Sequence, residues 1–340
     1  MDIKLLDLLD YQEKFHKALL SRKGVLADKD LNVLRLFNGF LEGIPQLVVD
    51  KFANTLLIWD YSDSPAENQP FFEQVWQWYL EGIPGIESVV LKSRNSKMQE
   101  NRNGKLVFGK NIEKVIIEYG VQYALDLQKN QDASFYLDTR YLRNYLIENA
   151  NGLTVLNTFA YTGSLGTAAL AGGAARVLQT DLNPAFLNHA KSSHALNGFK
   201  VNKKDFISGD FFNIVGMLKK QETLFDCVIM DPPFFSQTKA GQIDLQLESN
   251  RLINKIRPLV KHEGHLIVVN NALFLSGNEF IDQIETLCAD GYMEIEKIIP
   301  VPDDVAGYTD TIVQPLPVDP SPFNHSTKIV VLQVFRKDKK

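Results

Sequence analysis

Across the C-terminal two-thirds of this 340-residue chain, short apolar runs alternate with helical segments, and no other feature limits the fold so strongly. Leu153–Thr158, Arg176–Asp181, Phe206–Ser208, Phe225–Asp231 and His265–Asn270 read as strands. Ser164–Ala171, Pro184–Asn197, Phe211–Lys220, Asp244–Val260 and Asn278–Ala289 read as helices. Parallel strands need long crossovers, so repeated strand–helix units predict an α/β fold: a doubly wound, Rossmann-like parallel sheet with helices on both faces. Two further β runs, Ile295–Val301 and Lys328–Phe335, have no clear helix between them and are expected to close the sheet as a terminal antiparallel hairpin.

The earlier part of the chain follows a different rhythm. Leu34–Phe37, Gln46–Val49, Leu56–Tyr61, Val89–Arg94, Val115–Tyr119 and Val121–Leu127 read as short strands. Pro70–Leu80 reads as a helix whose stripe Phe71, Phe72, Val75, Trp76 and Tyr79 suits a core. A smaller α+β domain is therefore expected over 1–132, ahead of the larger domain over 133–340. Asp303–Ser326 is rich in proline and shows no helix or strand period; loops of that length inside a compact domain are usually functional.

Composition removes several function classes. A net charge of −5 argues against coating nucleic acid by bulk charge. Between Lys92 and Lys114, however, seven basic residues face two acidic ones, a stripe that suits either a phosphate backbone or solvent. Two cysteines make neither a disulfide framework nor a cysteine zinc site, and they fit a reducing, cytoplasmic setting. The histidines show no metal-ligand spacing, so no metal is expected. The longest uncharged run, Asn149–Ala175, carries five glycines and many hydroxyl or amide side chains. It reads as strand, turn and helix around a ligand, with no membrane span expected. The N-terminus mixes acids with lysines and has no targeting pattern.

Four loops follow four successive strands, where open α/β sheets bind ligands. The first, Asn157-Thr-Phe-Ala-Tyr-Thr-Gly163, turns a strand into a small-residue helix through a glycine, and Phe159 and Tyr161 would crowd a pyrophosphate there. The second ends in Asp181-Leu182, an acid placed to accept from ribose hydroxyls or to cap the next helix. The third, Gly209-Asp210-Phe211, offers an acid for an adenine amine and a ring to cover it, or a second helix cap. The fourth, Asp231-Pro232-Pro-Phe234-Phe-Ser236, is the most specific: two prolines fix the backbone beside a carboxylate, and Phe234 can stack on a base.

Together these loops resemble those of class I S-adenosylmethionine-dependent methyltransferases, and more narrowly the bacterial 23S ribosomal RNA methyltransferases of the RlmI/RlmK type. Leu34-Arg-Leu-Phe-Asn38, Glu42-Gly-Ile-Pro45 and Val48-Val-Asp-Lys-Phe52 are similar to that family's central domain. Phe135-Tyr136-Leu-Asp138-Thr-Arg140, followed by Arg143, resembles its lead-in segment. The resemblance implies S-adenosylmethionine as cofactor, held by Tyr136, Asp138, Arg140, Asn157, Phe159, Ala160, Tyr161, Gly163, Asp181, Leu182, Asp210 and Phe211. It also implies a structured, ribosomal RNA as partner and leaves the oligomeric state open, a homodimer included.

Two departures bear on the branch. The cytosine-5 branch carries a PUA domain, and the stretch ahead of Leu34 is too short for one, so none is expected. That branch also attacks carbon 6 of the base with a cysteine, where this chain has Asn270-Asn271. Cys227 and Cys288 fall in apolar elements and read as packing residues. A guanine nitrogen, N7 or the exocyclic amine, is the expected target, with Asp231, Pro232, Phe234 and Asn270 forming the catalytic set. A cytosine-5 enzyme, a nicotinamide-dependent oxidoreductase and a non-catalytic RNA-binding protein are the alternatives.

Overall fold

The computed structural model describes residues 8–129 and 131–337, which form two compact units: the described residues up to Leu137 with Pro302–Pro315, and Asp138–Val301 with 316–337. The sequence reading draws one boundary at 132/133; residues 302–315, which belong to the first unit, fall in the proline-rich Asp303–Ser326 segment, whose composition does not say which unit it joins.

The first unit begins with helices α1 (Leu8–Ser21) and α2 (Lys23–Leu26). Strand β1 (Val33–Asn38), the one-turn α3 (Gly39–Glu42), β2 (Leu47–Phe52) and β3 (Thr55–Asp60) follow. Next come α4 (Gln69–Gly82), β4 (Ser88–Ser93), α5 (Gln99–Asn103) and β5 (Lys105–Phe108). Strands β1 to β5 make one sheet in chain order, antiparallel except where α4 carries the chain from β3 to a parallel β4. A separate antiparallel pair, β6 (Val115–Glu118) and β7 (Val121–Ala124), turns at Gly120. All five aromatic-stripe residues of α4 are buried, as the period requires. Helix α1 lies outside the sequence expectations, yet Tyr11, Phe15 and Ala18 recur at helical spacing and pack into the same core.

In the first unit, Asp304 and Val305 of 302–315 cross-link to the head of the sheet. The Arg35 amide donates to Asp304 Oδ2 at 2.9 Å, and Asn38 Nδ2 donates to the Val305 carbonyl at 3.0 Å. The buried Arg22–Glu42 pair (2.9 Å) sits against them, with Arg22 Nη2 donating to the Asp304 carbonyl at 3.1 Å.

The second unit runs α6 (Arg140–Asn149), β8 (Thr154–Thr158), α7 (Ser164–Ala171), β9 (Arg176–Asp181), α8 (Pro184–Leu196), β10 (Phe206–Ser208) and α9 (Phe211–Lys220). It continues through β11 (Phe225–Met230), β12 (Phe235–Gln237), β13 (Gln242–Asp244), α10 (Ser249–Ile256), β14 (Val260–Asn270), α11 (Gly277–Cys288) and β15 (Met293–Ile299). After α12 (Asp303–Ala306), which belongs to the first unit, β16 (Lys328–Val334) completes the sheet. The strand order is β10-β9-β8-β11-β14-β16-β15. The five strands from β10 to β14 are parallel, and β16 runs antiparallel to both its neighbours. This is the expected doubly wound sheet with its terminal antiparallel pair. The chain winds outward from β8 to β10, then returns to β11 on the other side of β8. The resulting crevice beyond the ends of β8 and β11 is where such a sheet takes ligands.

One expected helix is shorter than its sequence period. Asp244–Val260 divides because Asp244 closes a turn, its Oδ1 accepting from the amides of Gln246 and Leu247 at 3.1 Å, and Pro258 ends the helix in a tighter turn. Strand β14 then starts at Val260, earlier than its expected start at His265. No described helix is long and apolar enough to cross a membrane.

Candidate active site

The loop after β8 is built on backbone conformations that side chains rarely adopt. Phe159 has φ 53°, Tyr161 φ 50° and Gly163 φ 79°. Two bulky residues in the left-handed region within three positions store about 1–3 kcal/mol each, a cost found mainly at functional sites. The fold holds them there with a hydrogen bond from the Ala160 amide to the Thr180 carbonyl (2.9 Å) and one from the Tyr161 amide to Asp181 Oδ2 (2.9 Å). A Cβ on Gly163 would lie 2.3 Å from the Ala190 Cβ and 2.7 Å from Gln179 Oε1. Gly163→Ala is therefore expected to lower the melting temperature and to weaken cofactor binding together. Overpacking of this kind costs about 1–3 kcal/mol, and calorimetric and thermal titration read both effects.

Beneath that glycine lies a buried polar relay that the sequence reading missed. Asn157 Nδ2 donates to Gln179 Oε1 at 3.2 Å, and Gln179 Nε2 meets His194 Nε2 at 2.9 Å. Burial pushes His194 down to about 4, so its ring is neutral and accepts the glutamine proton. Gln179 points under the loop because strand alternation puts it on the same face as Asp181. A glutamine two residues before Asp181, on the same face of β9, is the available signal.

Asp181 ends β9, half-buried. Its Oδ1 accepts from the Asn183 amide at 2.8 Å and its Oδ2 from Tyr161. Burial raises its pKa, and those two hydrogen bonds oppose the rise. Each oxygen keeps a lone pair, which is what a vicinal diol needs. Asn183, whose side chain accepts from the Ala185 amide at 2.9 Å, caps the following helix, so Asp181 is not consumed as a cap. Leu182, beside it, is 59% exposed.

Asp210 does serve as the cap of α9: its Oδ1 accepts from the Phe212 amide at 2.8 Å and its Oδ2 from the Thr238 hydroxyl at 2.6 Å. Phe211 is buried in the main core, and Phe159 stacks on it with centroids 4.6 Å apart and planes 28° apart. Phe159 rather than Phe211 is thus the ring nearer the opening.

At the end of β11, Asp231 is half-buried, Pro232 is buried, and Phe234 is 44% exposed. Burial and the neighbouring Asp138 carboxylate push Asp231 up to about 7. Asp138 is held by the Thr327 hydroxyl, which donates to its Oδ2 at 2.8 Å. Arg140 is buried at the start of α6, and Arg143 Nη1 donates to the Thr139 hydroxyl at 2.8 Å. Tyr136, 45% exposed, belongs to the first unit.

Asn270 differs from its expected part. It is fully buried; its Nδ2 donates to the Leu245 carbonyl at 3.1 Å, and its Oδ1 accepts from the Ala272 amide at 2.9 Å. It ties the end of β14 to the segment after the β12–β13 hairpin, and its neighbour Asn271 is the exposed amide of the pair. Neither cysteine offers a thiolate. Burial pushes Cys227 up to about 12, and Cys288 is raised by its own burial first and then by nearby acids.

Residues 88–303 match the sequence profile of the S-adenosylmethionine-dependent methyltransferases. The chain belongs to that family. The methyltransferase is 28% identical over 291 residues to the ribosomal RNA large subunit methyltransferase K/L of Shewanella pealeana, covering 84% of this chain and 38% of that protein. It is 27% identical over 293 residues to the ribosomal RNA large subunit methyltransferase I of Photobacterium profundum, covering 85% and 74%. Among solved structures, a putative methyltransferase complexed with SAH shares the fold with a TM-score of 0.84 at 21% identity, over 98% of this chain and 83% of that one. The cofactor of the methyltransferase is S-adenosylmethionine. The residues present fit it: Asp181 presents acceptors at the end of β9, and Asn157 Oδ1 is a buried acceptor without a partner.

Proposed function

We propose that this methyltransferase modifies a base nitrogen of structured RNA, with a guanine of large-subunit ribosomal RNA the best-supported target. The single observation that carries the nitrogen assignment is the lack of a usable thiol: among the described residues burial holds both cysteines away from ionisation, and the residue directly after β14 is the exposed amide Asn271. The names of the relatives support the RNA class, and the methyltransferase spans only part of the K/L protein.

Bound S-adenosylmethionine supplies an electrophilic methyl group on a sulfonium. The chain supplies orientation and exclusion of water. We assign the ribose hydroxyls to Asp181, the purine to the Phe159 side of the crevice near Asp210 and Phe211, and the amino-acid end to Asp138, Arg140 and the turn Asn157–Gly163, with Leu182 at the margin. Asp231 accepts a hydrogen bond from the base edge, Phe234 stacks on the ring, and Pro232 fixes the carboxylate. Asn270 positions Asn271, which faces the base in its place.

RNA carrying 5-fluorocytosine tests the nitrogen assignment. A cysteine enzyme traps that base covalently, and a nitrogen methyltransferase does not. No adduct is expected, and Cys227→Ser/Cys288→Ser keeps methyl transfer apart from a stability loss. An adduct that vanishes in either single cysteine variant would restore the cytosine-5 reading.

The basic stripe refines the contact with phosphate. Lys92 is buried: its Nζ donates to the Asp132 carbonyl at 2.6 Å, and burial pushes it down to about 8. Arg94 reaches the Gln131 carbonyl at 2.6 Å, and Arg102 the Ser96 carbonyl at 2.7 Å. Lys97, Lys105, Lys110 and Lys114 are exposed. Neutralising Lys97, Lys105 and Lys110 is expected to reduce the slope of log affinity against log salt by about 2–3, as for three lost phosphate contacts. Lys92→Met should leave that slope unchanged and lower the melting temperature.

A further inference from the structure

The first unit holds a cavity of about 540 Å³ between α1, α2, the end of α4 and strand β2. That volume falls within the range of small-molecule sites, roughly 300–1,000 Å³. In a chain of net charge −5, its lining contains His16, Lys23 and Lys51 and no acidic residue.

Each wall has a sequence reason. His16, Leu19, Leu20 and Lys23 are spaced three and four apart, so they share one helical face that continues into α2. Arg22 turns the other way and is neutralised by Glu42, which leaves Lys23 as the outward cation. Lys51 is the less expected residue. Strand alternation puts it on the same face of β2 as Leu47 and Val49, both buried beneath α1 and α4, and its cross-strand neighbours are Leu34 and Leu56. A lysine at the edge of an apolar layer has a desolvation cost, and burial lowers its pKa with no carboxylate to offset the effect. No ion pair to Lys23 or Lys51 occurs among the described residues. The lining also holds one indole, that of Trp78. Trp78 packs on Phe15 and Tyr79 at centroid distances of 5.3 and 5.0 Å. At Gly82 an added Cβ would meet nothing within 4 Å. Leu20, 58% exposed, stands at the rim.

Two cations without ion pairs and an indole, lining one cavity together with Leu19, Leu26 and Ile83, form a site for an anion joined to a flat ring. We infer that this cavity binds a nucleoside monophosphate unit, its base against Trp78 and its phosphate between Lys23 and Lys51. The unit has two sources, a free nucleotide or an unpaired nucleotide within RNA; the second rests on the RNA reading above, and the first does not.

Calorimetry on the full chain, with the cofactor site filled by S-adenosylhomocysteine, tests this with three probes: adenosine 5′-monophosphate, a single-stranded uridine tetranucleotide and inorganic phosphate. Trp78→Ala should weaken nucleotide binding by about tenfold to a hundredfold, as for loss of one base stack. Lys23→Met and Lys51→Met should weaken it and flatten its salt dependence. Gly82→Leu should fill the cavity and abolish it without touching the core. Binding of the mononucleotide that Gly82→Leu removes identifies the free source; binding of the tetranucleotide alone, removed likewise, identifies RNA. Binding of phosphate alone, binding unaffected by Gly82→Leu and Trp78→Ala, or no binding of any probe would each overturn the proposal. These titrations need no methyl transfer, so a failed RNA assay and a failed cavity are told apart.

Discussion

Asp231→Asn is expected to reduce methyl transfer by about 10²–10⁴-fold, the range for a positioned acid–base or hydrogen-bonding group, while the protein stays folded. The pH behaviour separates this from a general loss of structure. In the native protein Asp231 titrates near 7 against an ordinary value of 3.8, because burial and Asp138 disfavour the charge. A bound cofactor cation favours the ionised carboxylate, so cofactor affinity of the wild-type protein should rise with pH through about 7, and the asparagine variant should lack that rise. Stability moves in the opposite sense. The native state holds this proton more tightly than the unfolded chain, so stability is lost as pH rises from about 4 to about 7. Asp231→Asn should therefore melt higher than wild type at pH 8, with the difference vanishing towards pH 4. A variant that loses activity and melts lower at pH 8 would place Asp231 in the scaffold instead.

The second large effect falls on the cofactor. Asp181→Ala removes charge-assisted hydrogen bonds worth about 1.5–3 kcal/mol, so affinity for S-adenosylhomocysteine should fall about tenfold to over a hundredfold. Asp181 also anchors the Tyr161 amide, and Asp181→Asn tests that part, because an amide oxygen can still accept from the backbone. Its amide nitrogen then faces the Asn183 N–H where an acceptor stood, so the asparagine variant should melt somewhat lower than wild type, by less than the alanine variant, and lose most of the affinity. Unchanged affinity in the alanine variant would remove Asp181 from the site.

How far the site was legible depends on what each residue does. The positions of Gly163, Asp181 and Asp231 at or just beyond strand ends are legible because a glycine turn and a proline pair are local features and strands alternate with helices. Asp210 was readable only as a choice between ligand and cap, and the structure shows the cap bonds. Asn270 could not be placed from sequence: its role depends on the Leu245 carbonyl, and the β12–β13 hairpin that brings Leu245 there has short strands with no strong period. Lys92 stood in a charge stripe but alternates inward on β4, where Trp59 lies 5.6 Å from its ammonium. The left-handed Phe159 and Tyr161 had no signal at all, because propensity points away from such conformations for aromatic residues. Long-range contacts decide the places of Asn270 and Lys92.

One measurement bears most directly on the claim that this methyltransferase acts on a base nitrogen of ribosomal RNA. The protein is incubated with methyl-labelled S-adenosylmethionine and large-subunit ribosomal RNA from cells lacking it, and the RNA is digested to nucleosides for mass spectrometry. Label is expected in a nitrogen-methylated guanosine, absent with Asp231→Asn. Label in 5-methylcytidine, or label in no RNA nucleoside, would contradict it.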